Sequence, residues 1–402
     1  MDEGIPLAVK ASRKALHEAQ LSALDITHVV STTCTHSANP GFDHFLCKEL
    51  RMTQPVEKVL LHGIGCSGGL AALRTAANIA LGSSFRKKKA RVLVVALEIS
   101  SIMVRSELDS MDKLQECRIG ITLFSDCASA VVLSNGVDDH AEPVYDLLGW
   151  EHRIVPDTEA DLGFDVHPLG TYSFCSCLVV SPGNEAERIV NKNASSGWKV
   201  ILSPRVPKLA SSIVEPTFNS LLESLPSLPP SYRKAPDFDW ALHPGGATIL
   251  SGVERVMSIS PEHLRASYDT YINHGNSSSA TIFSVLDRLR DKDMDAIAPD
   301  NKVKEFLVAC AFGPGIAVEM GILRRNLRHV KRTLVLSGEV TPPETESEGS
   351  RSDGESEEVI EKEIESVKKN GELIGEKLAT VQPDVPEQND SLAEALNGVE
   401  LD

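Results

Sequence analysis

The chain has 402 residues, a formal charge of −17 and 42% hydrophobic residues, enough apolar content for a sizeable core and enough length for two domains or one large duplicated fold. The charge is local, because residues 336–402 hold 19 Asp/Glu and 5 Lys/Arg, a net −14 that leaves only −3 for the body. That balance excludes a nucleic-acid footprint, no apolar run reaches the ~18 residues of a membrane span, and the first residues lack the apolar stretch of a secretory signal.

In chain order, residues 7–24 predict an amphipathic helix and Thr27–Thr32 a short strand. Residues 56–64 read as a buried strand. Residues 67–82 read as a small-residue helix with Leu70, Leu73, Ala77 and Leu81 on one face. The basic run Arg86–Lys89 reads as a solvated loop between that helix and the next strand. Residues 91–100, RVLVVALEIS, form a continuous apolar run of the kind buried on both faces, and 125–135 is a second such strand. Beyond residue 145 the alternation resumes: a strand near 236–243, helices at 246–258 and 277–291, a strand at 304–311, a Gly-rich turn, then GIAVEMGILR. Such alternation argues for α/β layers. Residues 337–402 are too rich in Glu, Ser, Pro and Gly to offset ordering entropy and are read as disordered, with 356–380 able to form a transient charged helix. The eight cysteines are scattered as in a reduced, cytoplasmic protein. Cys175 and Cys177 lack a second pair at zinc spacing, so no metal is expected.

Three segments place a reactive side chain just before a helical pattern. They are KVLLHGIGCSGGLAALRTAANIAL with Cys66, FDWALHPGGATILSGVERVM with His243, and YINHGNSSSATIFSVLDRLR with Asn276. A helix N-terminus offers free N–H groups and partial positive charge to a thiolate or an oxyanion. A thiol, an imidazole and an amide presented in this way are the parts of cysteine acyl-transfer chemistry. Taken singly, each has a plainer reading: a small core cysteine, a turn histidine, an N-capping asparagine. His62, four residues before Cys66, is a rival imidazole.

These segments resemble the chalcone synthase-like type III polyketide synthases of the thiolase-fold superfamily. The resemblance rests on LLHGIGCSGGLAALRTAAN, LFSDCASAVVLSNG, WALHPGGATIL, HGNSSSATIFSVLDRLR and AFGPGIAVEMGIL, in family order over about residues 8–330, and their wording looks fungal. It implies that Cys66 carries the acyl chain and that His243 and Asn276 hold the thioester carbonyl as catalytic partners. It makes Phe124 an aromatic gate between CoA tunnel and cavity, although a core aromatic is the equal alternative. Gly313, Pro314 and Gly315 would shape the cavity floor, and Ser278 is counted with them among substrate-binding positions. Cys34, Cys47, Cys117, Cys127 and Cys310 are read as structural.

The implied fold is a thiolase-like layered αβαβα arrangement of two similar halves. Residues 1–144 would be the N-terminal half with the nucleophile, lacking its first strand, and 145–335 the C-terminal half with His243 and Asn276. Residues 171–197 interrupt the family text as an insertion, beside a second gate position near Trp198–Val200, and 336–402 form the acidic tail. The implied activity loads an acyl-CoA starter on Cys66 and extends it with malonyl-CoA by decarboxylative Claisen condensation, giving an aromatic polyketide or pyrone. A ketoacyl-carrier-protein synthase-like condensing enzyme and an inactive truncated family member are the alternatives. No cofactor beyond the acyl-CoA and malonyl-CoA substrates is expected. The expected partners are acyl-CoA thioesters and a second copy in a homodimer. A neighbouring imidazolium and the helix N-terminus are expected to lower the Cys66 thiol below its free pKa of ~8.5. His243 Nε2 and the Asn276 amide would then form an oxyanion hole. Arg13, Lys14 and Arg86–Lys89 are possible contacts for CoA phosphates.

Overall fold

The structure, a computed structural model, describes residues 3–104, 108, 111–112, 123–137, 142–166 and 198–329. Cys117, Cys175, Cys177, the insertion at 171–197 and the acidic tail lie outside the described residues.

Helix α1 spans Gly4–Glu18 and is followed by a single 3-10 turn, Ala23–Asp25, so the helix expected to Leu24 is shorter. The turn is closed by Ser22, whose N–H and hydroxyl both donate to Asp25. Strand β1 is His28–Thr32 and helix α2 is Phe42–Glu49. Strand β2, Glu57–Leu61, leads through a 3-10 turn at Gly65–Ser67 into helix α3, Gly68–Phe85. Strands β3, Arg91–Glu98, and β4, Cys127–Ser134, complete a sheet of order β2-β1-β3-β4. β1 pairs parallel with β2 and β3, whereas β4 runs antiparallel to β3.

The second sheet has the order β5-β10-β9-β8, with β5 at Tyr145–Ile154, β8 at Asp239–Leu242, β9 at Phe306–Gly313 and β10 at Ala317–Arg325. β6, Leu162–Val166, and β7, Trp198–Leu202, form a separate antiparallel pair. The helices of this part are α4 at Val206–Glu223, α5 at Ala247–Met257, α6 at Arg265–His274, α7 at Thr281–Arg288 and the short α8 at Lys292–Ala296. The sequence reading missed α4 and α6. The run at 277–291 is a 3-10 turn, Ser278–Ala280, followed by a shorter helix.

Period-two alternation on β3 builds the layers. Val92, Val94 and Ala96 pack with Leu70, Leu73 and Ala76 of α3, with Ile282, Val285 and Leu286 of α7, and with Leu307, Ala309 and Ala311 of β9. Leu93, Val95 and Leu97 face the other way, onto Ala8, Val9 and Leu16 of α1 and Phe42 and Leu46 of α2. On the far side of the second sheet, Phe218 of α4 stacks against Phe238 and Trp240. The order is therefore helix, sheet, helix, sheet, helix, with α3 and α7 in the middle. A strand buried on both faces is apolar along most of its length, which is why Val92–Leu97 of β3 reads as one run. Each fully buried Val or Leu contributes about 1.5–3 kcal/mol as an upper estimate.

Two expectations are corrected. β2 is not buried: it is an edge strand, and Glu57, Lys58 and Val59 are exposed. On α3, Leu70, Leu73 and Ala77 are buried as expected, but Leu81 is 59% exposed.

Candidate active site

The Cys66 thiol sits at the start of the central layer. Cys66 is the middle residue of the turn Gly65–Ser67, immediately before α3. This turn is held by backbone-close packing. A Cβ on Gly313 would stand 2.3 Å from Ser67 Oγ and 2.6 Å from the Ile64 carbonyl, and one on Gly65 would meet the Pro314 ring at 2.4 Å. The AFGPG turn thus presses directly on the turn that carries the thiol, which is the reason for glycine at both positions.

Asn276 and Ser278 come from the loop between α6 and α7. Asn276 is 2% exposed and Ser278 3%. The Ser278 N–H donates to Asn276 Oδ1 at 2.8 Å. Both the Asn276 and the Ser278 side chains lie close enough to Cys66 to favour its ionised form. Ser278 adopts φ +49°, a left-handed conformation unfavourable for a non-glycine residue. Such strain is maintained only where the surroundings over-determine it.

A second thiol and a carboxylate lie behind the first. Ser278 Oγ is 3.3 Å from Cys34 Sγ. Cys34 in turn donates to Glu98 from its backbone N–H at 3.0 Å and from its thiol at 3.3 Å. Glu98 is fully buried and also accepts from the Ser279 hydroxyl and from Thr33 Oγ1 at 3.4 Å. Burial pushes this carboxyl above its ordinary value, against the pull of those donors. Cys34, read as structural, therefore belongs to the site, and Glu98 was missed. The available signal was a lone acid closing an otherwise apolar strand, since a buried carboxyl must find donors.

The electrostatics overturn the expected thiolate–imidazolium pair. Burial pushes the Cys66 thiol up to about 11; the Ser278 and Asn276 side chains oppose the rise, and the Glu98 charge adds to it. His243 is 1% exposed at the end of β8, and burial pulls its imidazole down to about 4. Neither of its ring nitrogens has a hydrogen-bond partner, whereas its backbone N–H donates to the Cys310 carbonyl at 2.8 Å. Near neutral pH the free protein thus holds a neutral thiol and a neutral imidazole. His62 is exposed, unlike the buried His243.

Phe124 is drawn to the same place. It forms an isolated parallel bridge with Asn276. The basic run Arg86–Lys89 is not: it follows the far end of α3, an 18-residue helix and so about 27 Å long.

The sequence and the fold match known proteins. Residues 1–137 fit the model for the N-terminal domain of chalcone and stilbene synthases, and residues 177–327 fit that for the C-terminal domain. The chain belongs to the chalcone and stilbene synthase family. It is a type III polyketide synthase, an acyl-transferring condensing enzyme. It is 37% identical over 327 residues to the acylalkylpyrone synthase csyB of Aspergillus oryzae, covering 80% of this chain and 75% of that protein. It is 36% identical over 341 residues to the type III polyketide synthase pspB of Penicillium soppii, covering 80% and 76%. The crystal structure of a type III pentaketide synthase from Neurospora crassa superimposes with a TM-score of 0.72 at 62% identity, covering 81% of this chain and 80% of that one. These relatives are fungal, and the layered αβαβα fold of this synthase is that of the family.

Proposed function

We propose that Cys66 is the acyl-carrying nucleophile and that the chain condenses an acyl-CoA starter with malonyl-CoA to release a pyrone or an aromatic polyketide. The observation that carries this reading is the thiol in the turn that opens α3, with the buried polar side chains of Asn276 and Ser278 close enough to favour its ionised form. The names of the relatives, an acylalkylpyrone synthase and a pentaketide synthase, support the product class.

In loading, the Cys66 sulfur attacks the starter thioester carbonyl, its proton leaves, and CoA–SH departs. A thiol held at about 11 is mostly protonated, so a base must take that proton as attack proceeds. His243 is that base in this reading: it is neutral and both of its nitrogens are unpartnered. In extension, malonyl-CoA loses CO2 and leaves an enolate oxygen. The Asn276 NH2 donates to it without titrating, and a His243 N–H is the second donor. The enolate carbon then attacks the Cys66-bound acyl carbonyl, a C–C bond forms and the sulfur leaves.

No metal or cofactor takes part in this scheme. Among the described residues no helix is long and apolar enough to cross a membrane, and the reading places the enzyme in the cytoplasm. It also takes the enzyme to be a homodimer, for which the open, exposed edge strand β2 offers a pairing surface. Intact-protein mass spectrometry after mixing with acyl-CoA, followed by product analysis with malonyl-CoA or malonyl-carrier protein, tests the reading. An acyl adduct on Cys66 and turnover with malonyl-CoA are expected. Turnover with the carrier protein alone would assign the chain to the ketoacyl-synthase alternative.

A further inference from the structure

The far end of α3 carries a surface that catalysis does not use. Phe85, its last residue, is 92% exposed, and Leu81, one turn earlier, is 59% exposed. Residues four apart on a helix lie on the same face, so the two form one apolar step. The helix then closes with the Lys87 N–H donating to the Ser84 carbonyl and the Lys88 N–H to the Ser83 carbonyl, both at 2.9 Å. This is the two-bond helix ending that normally places glycine at the left-handed position. Here Lys87 occupies that position, at φ +53°, so the cations are fixed beside Phe85 on ordered backbone. Asn135 braces the turn, its Nδ2 donating to the Lys88 carbonyl at 2.8 Å and to Ser84 Oγ at 3.1 Å.

Arg86, Lys87 and Lys88 are exposed and make no ion pair among the described residues. Lys89 is different, because its charge acts on Asp25. Leu24 lies at the same end of the first sheet and is 59% exposed. Its neighbour Asp25 holds Arg91, the first residue of β3, at 3.3 Å. An exposed aromatic and a leucine one turn away, flanked by unpaired cations, form the combination that enters the headgroup region of an anionic bilayer. There the rings and alkyl chains bury at the boundary while the cations meet the lipid charge. A merely solvated loop explains the lysines but not the adjacent Phe85.

We propose that the Leu81–Lys88 end of α3 docks the enzyme reversibly on anionic phospholipid membranes. The docking face is at the opposite end of α3 from Cys66, so it leaves the thiol turn uncovered. It is also a single short anchor with three cations, which fits reversible rather than permanent attachment.

The test is co-sedimentation of the full-length protein with phosphatidylcholine vesicles, with and without phosphatidylserine. Binding is expected only with phosphatidylserine and should fall as salt is raised. Lys87→Glu/Lys88→Glu should weaken binding by at least ~20-fold, the scale for two basic residues at such a surface. Phe85→Ser should also weaken it, with acyl loading on Cys66 unchanged in both variants, which confirms that they are folded. Equal binding by wild type and both variants, or no binding by wild type to either vesicle, overturns the proposal. So does equal binding to vesicles lacking phosphatidylserine. Cross-linking of Lys87 to the acidic C-terminal segment or to a second copy, in place of vesicle binding, would assign the surface to that occupant instead.

Discussion

Phe124 and Asn276 face each other across a two-bond bridge: the Asn276 N–H donates to the Leu123 carbonyl at 2.8 Å, and the Ser125 N–H donates to the Asn276 carbonyl at 3.0 Å. The backbone of Asn276 is thereby tied to the first half of the chain while its side chain accepts from the Ser278 N–H. The adjoining Ser125 hydroxyl adds a 2.5 Å bond to the His274 carbonyl and a 2.8 Å contact with Ser277 Oγ. A strand bridge uses only main-chain atoms, so side-chain changes at Asn276 leave this tether in place. Asn276→Ala should therefore keep the fold, lose about 1–3 kcal/mol because the buried Ser278 N–H is left without its acceptor, and lose malonyl-CoA decarboxylation by about 10²-fold, the usual scale for one lost oxyanion donor. Comparing decarboxylation rates with thermal unfolding checks both halves of that expectation.

Cys66 should alkylate late. With its thiol pushed up to about 11 by burial, the iodoacetamide rate should keep climbing with pH well beyond the ~8.5 of a free cysteine. A rate that levels off near neutral pH would show a preformed thiolate. Cys66→Ala should abolish the acyl adduct and remove the slow-reacting thiol from the profile.

Glu98→Gln keeps an acceptor for Ser279 and Cys34 but removes the charge that raises the Cys66 thiol. The alkylation profile should move to lower pH. Glu98→Ala, by contrast, leaves buried donors without acceptors and should lower stability by about 1–3 kcal/mol in urea unfolding.

His243 supplies a test by linkage. Its folded value of about 4 lies below the ordinary ~6.5, so between these two pH values the unfolded chain binds the proton and the folded chain does not. Its contribution is therefore intact above ~6.5 and lost as pH falls toward 4, by about 3 kcal/mol in all. His243→Gln should unfold with less pH dependence in that window than wild type. Because His243 is the base that takes the Cys66 proton in this reading, the same variant should slow both acyl loading and alkylation of Cys66 near neutral pH.

Gly313→Ala tests the packing of the thiol turn. Its Cβ would stand 2.3 Å from Ser67 Oγ and 2.6 Å from the Ile64 carbonyl, so the turn must move. A shift of ~1 Å in reacting groups commonly costs about 10²-fold in rate. The loss should appear in acyl loading while most of the stability is retained.

The sequence by itself determined the elements whose period was strong and the chemistry that rested on residue type. β3 was legible because burial on both faces favours apolar side chains along most of its length, and α3 because small residues repeat where two sheets close on it. Cys66, His243 and Asn276 stood out in the sequence because each precedes a helical pattern. What only the tertiary structure decided was what these side chains meet. That β2 is an exposed edge depends on which strand neighbours it, and no local pattern records a neighbour. That His243 is neutral and the thiol protonated follows from burial among residues distant in the chain, which no local pattern records. Cys34 and Glu98 joined the site for the same reason: 64 residues separate them in the chain, and only adjacent strands bring a carboxyl, two thiols and one shared serine hydroxyl within hydrogen-bonding reach.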